Sequence, residues 1–209
     1  MIIAQSSRQR GAVLLVALVM LLVLTLLAVG SMSGVALESR VTGNRVLTVR
    51  MQNSAEAALR EAEFRINSPE TRATRRQQLE PHPAECKVTN VLQGSGFNKT
   101  CLLAIKDTSL HGFVKYPQNI KNNDLSAASA GSLLWMPYRG LDYIQASIPE
   151  IPSFWNTYIL APESVAYGDY LQGKSTYYYL VNGLARPVAG RDLAVQSTMA
   201  RFYFGEESD

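Results

Sequence analysis

The chain has 209 residues and a net charge of +3, and 47% of its residues are hydrophobic. Arg8 and Arg10 carry two of those three charges ahead of the first apolar run, leaving +1 for everything after residue 11. A body so near neutrality has no clustered basic face, which excludes nucleic acid as a partner, and the length allows one globular domain besides the apolar segment.

Residues 1–11 are polar and cationic and end in Gln9-Arg10-Gly11. They read as a cytoplasmic leader peptide. From residue 12 to residue 29 only Thr25 interrupts an uncharged apolar run. With Gly30 and Ser31 that run crosses roughly 30 Å of hydrocarbon as a helix, at about 1.5 Å per residue. Residues 12–31 are therefore expected to span a membrane, with the cationic end inside and the rest of the chain outside. Ala28-Val29-Gly30 fits an ordinary signal cleavage site loosely. An uncleaved anchor, or one cut on the cytoplasmic side, is the stronger reading because the run exceeds a usual signal core.

No turn signal follows for a long way. Leu37, Val41, Leu47, Met51, Ala55, Ala58, Leu59, Ala62 and Ile66 fall mostly three, four or seven apart, the mark of one apolar stripe on a helix. Glu38, Arg40, Arg45, Arg50, Gln52, Glu56, Arg60, Glu61 and Glu63 are expected to fill its outer surface. Glu56 with Arg60, and Glu61 with Arg65, stand in the favourable i,i+4 order. Ser68-Pro69 stops the helix. Residues 32–67 thus read as an amphipathic continuation of the span, together roughly 80 Å long at 1.5 Å per residue. Gly30 and Gly34 form a G-x-x-x-G pair, which serves either the close approach of another helix or simple flexibility.

Residues 68–209 read as a globular head. A polar helical stretch reaches Glu80 and includes Arg72, Arg75 and Arg76, a solvated local cluster; Pro81-His-Pro83 follows. Cys86 and Cys101, fifteen positions apart, suit a disulfide loop outside the reducing cytosol, with two buried free thiols as the alternative. His82 and His111 have no ligand spacing with them, so no metal site is expected. Beyond lie short β-branched and aromatic segments: residues 112–116, 157–160, 176–181 and 193–204. The last two are expected to pair as a hairpin, separated by Asn182-Gly183 and Ala189-Gly190-Arg191-Asp192. In the final strand Val195, Ser197, Met199, Arg201 and Tyr203 face opposite ways from Gln196, Thr198, Ala200 and Phe202. The expected fold is α+β, with the stripe from Met51 to Ile66 packed on a C-terminal antiparallel sheet.

Catalytic patterns are missing: there is no P-loop, G-x-G-x-x-G, G-x-S-x-G or H-E-x-x-H. Asn122-Asn123-Asp124 resembles a fragment of a calcium loop, but the triplet lacks ligand spacing and reads as a solvated turn. Tyr177, Tyr178, Tyr179, Trp135 and Trp155 suit either a contact surface or, more simply, the core. Neither an enzyme activity nor a cofactor nor a small-molecule substrate is expected.

A basic leader ending in glycine, an apolar helix, its amphipathic extension and a β-rich head together resemble a type IV pilin. The run from Arg10 to Val29 is similar to the N-terminus of PilX-type minor pilins. Leu37-Glu-Ser-Arg-Val-Thr-Gly-Asn44 resembles their QERMAGN segment, and Ala55-Glu-Ala-Ala-Leu-Arg-Glu-Ala-Glu63 their AAEAALR stretch. Gly190-Arg-Asp-Leu-Ala-Val-Gln-Ser-Thr198 is similar to their closing strand. The resemblance implies a pilin-like fold, cleavage by prepilin peptidase between Gly11 and Ala12, and methylation of the new N-terminus at Ala12. It also implies an inner-membrane precursor with a periplasmic head, then a place in the pilus beside other minor pilins and the major pilin. Major pilins carry a glutamate at the fifth mature position, where this chain has Val16. An apolar residue there suits a subunit at the filament tip, which has no neighbour to complete the charge pair. The alternatives are a K-type pseudopilin of a type II secretion system and a single-pass membrane-anchored periplasmic binding protein or adhesin.

Overall fold

The structure, a computed structural model, describes residues 9–67, 81–90, 101–126, 131–141, 146–160, 174–188 and 190–204. The expected helix stop at Ser68-Pro69, the polar stretch with Arg72, Arg75 and Arg76, and most of the leader lie outside the described residues. The chain divides into two compact units, Met1–Thr48 and Val49–Asp209. Helix α1 (Gln9–Asn67) contributes to both.

In the first unit the helix is uninterrupted, as expected of a run with no proline and high helix propensity. Thr25 Oγ1 donates to the Leu22 carbonyl at 2.8 Å, and Ser31 Oγ to that of Leu27 at 2.9 Å. The hydroxyls of the apolar run are thus satisfied by their own backbone, which removes most of their cost in an apolar medium. Every side chain described from residue 11 to residue 50 is exposed. By length and composition this helix can cross a membrane.

The second unit is α+β. Residues 49–67 of α1 lie against a four-stranded antiparallel sheet in the order β1 (Met136–Pro137), β2 (Ser153–Ile159), β3 (Lys174–Ala185) and β4 (Leu193–Phe204). β3 and β4 pair along their full twelve residues, from Lys174 opposite Phe204 to Ala185 opposite Leu193. Met51, Ala55, Ala58, Leu59, Ala62 and Ile66 are buried, and small alanines on that stripe let the helix backbone come close to the sheet. These are the members from Met51 to Ile66 expected on the sheet; Leu37, Val41 and Leu47, earlier on the same stripe, are exposed.

Two local expectations are corrected. Residues 112–116 are not a strand but the end of helix α2 (Asp107–Lys115). Asp107 in its first turn and Lys115 in its last suit the helix dipole, and Phe113 is buried edge-on against Tyr158, with ring centroids 5.9 Å apart. Asn182-Gly183 is not a turn. The hairpin turn lies within residues 186–192, and Asn182 and Gly183 pair with Gln196 and Val195 in mid-strand.

Each of the two has a physical reason to be there. Gln196 Nε2 donates to Asn182 Oδ1 at 2.8 Å, and Asn182 Nδ2 to Asn156 Oδ1 at 2.8 Å. Asn156 Nδ2 then donates to the Leu134 carbonyl at 3.2 Å. This relay crosses three strands and holds two fully buried asparagines, so a slip in register would orphan both amides. Gly183, on the opposite face, underlies α1: a Cβ there would sit 2.0 Å from the Ala55 carbonyl oxygen and 3.0 Å from Leu59 Cβ. Among described residues no other glycine is so tightly covered.

Gly183→Ala should therefore force the helix off the sheet. The expected loss is about 2–3 kcal/mol, typical of overpacking, read as a lowered unfolding midpoint of the full chain in detergent. Gly112→Ala, at a position where an added Cβ meets nothing within 4 Å, is the control and should stay within about 0.5 kcal/mol or stabilise the helix.

Candidate functional site

Two features stand out: a buried polar seam between residues 49–67 of α1 and the sheet, and the exposed N-terminal half of α1. The seam centres on Glu61, whose side chain is fully buried. Its Oε1 accepts from Arg65 Nη2 at 2.7 Å, Arg65 Nε at 3.0 Å and Trp155 Nε1 at 3.2 Å. Its Oε2 accepts the backbone N–H groups of Arg139 at 2.6 Å and Gly140 at 3.0 Å. Gly140 has φ +87°, a left-handed backbone that favours glycine, and an added Cβ there would lie 2.9 Å from Ser147 Cβ. The Arg65 guanidinium lies 4.9 Å from the centroid of the Trp155 ring and sends Nη1 to the Asn90 carbonyl at 3.2 Å.

Desolvation by burial lowers the Arg65 pKa from its ordinary value, and the charge and hydrogen bonds of Glu61 oppose that shift. Five N–H donors fill the acceptor positions of the Glu61 carboxylate. It is an anchor. Through it α1 grips β2 and the 139–140 turn, at positions 78 to 94 residues away in sequence.

This corrects the surface assignment of Glu61. Its i,i+4 partnership with Arg65 is real, but it is a core pair and not a solvated one. Helical spacing carried the signal, since the series 51, 55, 58, 62 continues to 65 as well as to 66. Glu56 and Arg60 find other partners: Gln52 Nε2 donates to Glu56 at 3.0 Å, and Arg60 bonds Glu63 at 2.7 Å. Arg201, the one charge on the inward face of the final strand, donates to the Ile66 carbonyl and so caps the last turn of α1. Trp155, Tyr177 and Tyr179 are buried, while Trp135 and Tyr178 are half-buried.

Cys86 and Cys101 are joined by a disulfide, and both lie fully inside the main core. Cys86 follows a 3₁₀ turn at Pro83–Glu85, and its carbonyl accepts from Leu133 N at 2.7 Å. The Cys101 carbonyl accepts from Thr157 Oγ1, and Leu103 N from the next turn of chain donates to the Thr157 carbonyl at 2.9 Å. The bridge thus fastens the 81–90 segment to β2.

In the other feature, Gly11, Gly30 and Gly34 each sit where an added Cβ would meet nothing within 4 Å. The fold of this chain alone does not require glycine at any of them. Val16 is 55% exposed, and Ala12 and its neighbours are exposed on every side of the helix.

The Asn122–Asp124 triplet is a 3₁₀ turn. Asp124 accepts from Lys121 N at 2.8 Å and from Ser109 Oγ at 2.9 Å, and the Lys106 ammonium donates to the Asn123 carbonyl. These hydrogen bonds, the Lys121 amide first, hold the Asp124 carboxyl below its ordinary pKa. Among described residues no three His, Cys, Asp or Glu side chains gather to hold a metal.

Glu61→Ala would leave Arg65 buried and uncompensated and two backbone amides without acceptors. The expected cost is about 3–5 kcal/mol, against about 0.5 kcal/mol or less for Glu56→Ala on the exposed face; chemical unfolding of both variants measures the contrast. Asp124 has a folded pKa below its unfolded one, so its contribution is present above the ordinary carboxylate range and lost as pH falls through the depressed value. Acid titration of stability should therefore show a component below about pH 4 that Asp124→Asn removes.

The chain matches no protein-family model, and no curated protein and no solved structure is significantly similar to it.

Proposed function

We propose that the chain is a minor subunit of a type IV pilus, which primes or caps the filament by binding other subunits through α1 and the head. The observation that carries this reading is the extent of bare apolar helix. About 20 residues span the hydrocarbon of a bilayer, and residues 12–31 supply them. The apolar exposure does not end there: Val35, Leu37, Val41, Val46, Leu47 and Val49 are between 44% and 66% exposed.

At 100° per residue, Leu37, Val41 and Leu47 fall on one side of the helix and Val35, Val46 and Val49 on the other. Apolar residues on two opposite sides, beyond the reach of lipid, call for cover by at least two neighbours. A bundle of like helices provides that cover, whereas a simple anchor has no use for it. The α+β head, with a helix on an antiparallel sheet, agrees with the pilin arrangement.

In this reading prepilin peptidase cuts between Gly11 and Ala12 at the cytoplasmic face of the inner membrane, Ala12 is methylated, and the helix moves from bilayer to filament core. Val16 places no carboxylate in that core, which suits a terminal position where no adjoining amine is present.

Mass spectrometry of the mature N-terminus is the test. A methylated Ala12 is expected; an intact Met1, or a cut near Gly30, would sink the proposal and favour an anchored periplasmic protein. Deleting the gene should reduce surface pili and twitching motility, with normal piliation the contrary result.

A further inference from the structure

The disulfide and the buried seam share one segment of chain. Cys86 is followed by Lys87, whose N–H bonds the Glu85 carbonyl at 3.0 Å, and by Asn90, whose N–H bonds the Lys87 carbonyl at 3.0 Å. Asn90 Nδ2 also reaches back to the Glu85 carbonyl at 2.7 Å. These bonds fold residues 85–90 into a compact turn that ends on the Asn90 carbonyl, the acceptor for Arg65 Nη1. The same guanidinium makes two of the three bonds to Glu61 Oε1. A continuous path of short contacts therefore runs from the Cys86 sulfur through the turn and Arg65 to Glu61, Trp155 and the 139–140 amides.

We infer that the Cys86–Cys101 bond is a redox lock on the seam between α1 and the sheet: closing it presents the Asn90 carbonyl to Arg65, and opening it loosens the grip of Glu61 on β2. The bond forms when the two thiols give up two electrons and two protons to an external disulfide, which departs as two thiols. In a reducing compartment both cysteines stay thiols, and the 85–90 turn is held to the core only by its noncovalent contacts. Arg65 then loses an acceptor that a buried cation needs. The head folds in either state, but only the oxidised state holds α1 firmly. The inference concerns the head alone and stands whatever α1 joins.

The test uses the full chain in detergent micelles, in a Trp135→Phe background so that Trp155 alone reports. A water-soluble phosphine opens the bond: each sulfur leaves as a thiol, the phosphorus is oxidised, and water supplies its oxygen and the two protons. Hydrogen exchange at residues 58–66 should quicken about tenfold on reduction, as for loss of one charge-assisted hydrogen bond, and Trp155 emission should shift.

Arg65→Lys keeps the charge on Glu61 but has no second arm for Asn90. It should quicken the same amides in the oxidised protein, and reduction should then add little. Asn90→Ala unfastens the turn with the disulfide intact and should reproduce part of the effect, which keeps the inference testable even if the reduced chain unfolds. Faster exchange confined to residues 81–90 and 101–105, or additive effects of Arg65→Lys and reduction, or no effect of Asn90→Ala, would overturn it.

Discussion

A single buried carboxylate organises the head. Glu61 lies on the helix that packs on the sheet, yet its donors come from three places: one turn along the helix, β2, and the 139–140 turn. A charge removed from water costs several kcal/mol unless its hydrogen bonds are remade, and here five donors remake them. The consequence is specificity of placement. Aliphatic packing alone would tolerate the helix sliding along the sheet by a turn; the Glu61 geometry accepts one position, and the Ala55 carbonyl over Gly183 fixes the same position sterically. Polar satisfaction and close packing agree on where α1 sits on the head.

The sheet is fixed by a second device of the same kind. The relay from Gln196 through Asn182 and Asn156 runs perpendicular to the strands, on the face away from α1. Twelve paired residues in β3 and β4 could slip by two and keep their alternation of inward and outward side chains. The relay would not survive such a slip. Beyond the sheet, the disulfide secures the 81–90 segment, where the chain lies outside any regular strand, and by the chain-entropy model is worth about 3 kcal/mol.

Much of this was legible in the sequence, and the exceptions share a cause. The long helix, its buried alanine stripe and the pairing of the last two strands follow from periods of 3.6 and 2, which are local properties. The alternation along β4 was legible for the same reason; that the set holding Arg201 is the one facing α1 was not. The errors lie where a residue answers to something distant. Asn182-Gly183 has the composition of a turn, but Gly183 is required by a helix more than a hundred residues earlier. Residues 112–116 have the β-branched and aromatic content of a strand, yet Phe113 lies on a helix and packs against the Tyr158 ring, 45 residues away. Glu61 has the look of a surface ion pair, and nothing near it in sequence announces Trp155 or the 139–140 amides. Arg65 alone carried a local warning, by falling on the spacing of the stripe. Of the proposed assembly site, the apolar run and the Gly11-Ala12 junction are visible in the sequence; the bareness of residues 35–49 on two opposite sides needed the structure.

The two units divide the work along one helix. The half that carries Met51 to Ile66 is committed to its own head, while the described side chains from residue 11 to residue 50 are exposed. The central claim is that other subunits' helices cover them. A photo-crosslinking side chain placed in intact cells at Val41 or Val46, on the two opposite sides beyond the span, tests this most directly. The account predicts covalent adducts to other helix-bearing filament subunits from both positions; adducts to lipid alone, or to no protein from either position, would contradict it.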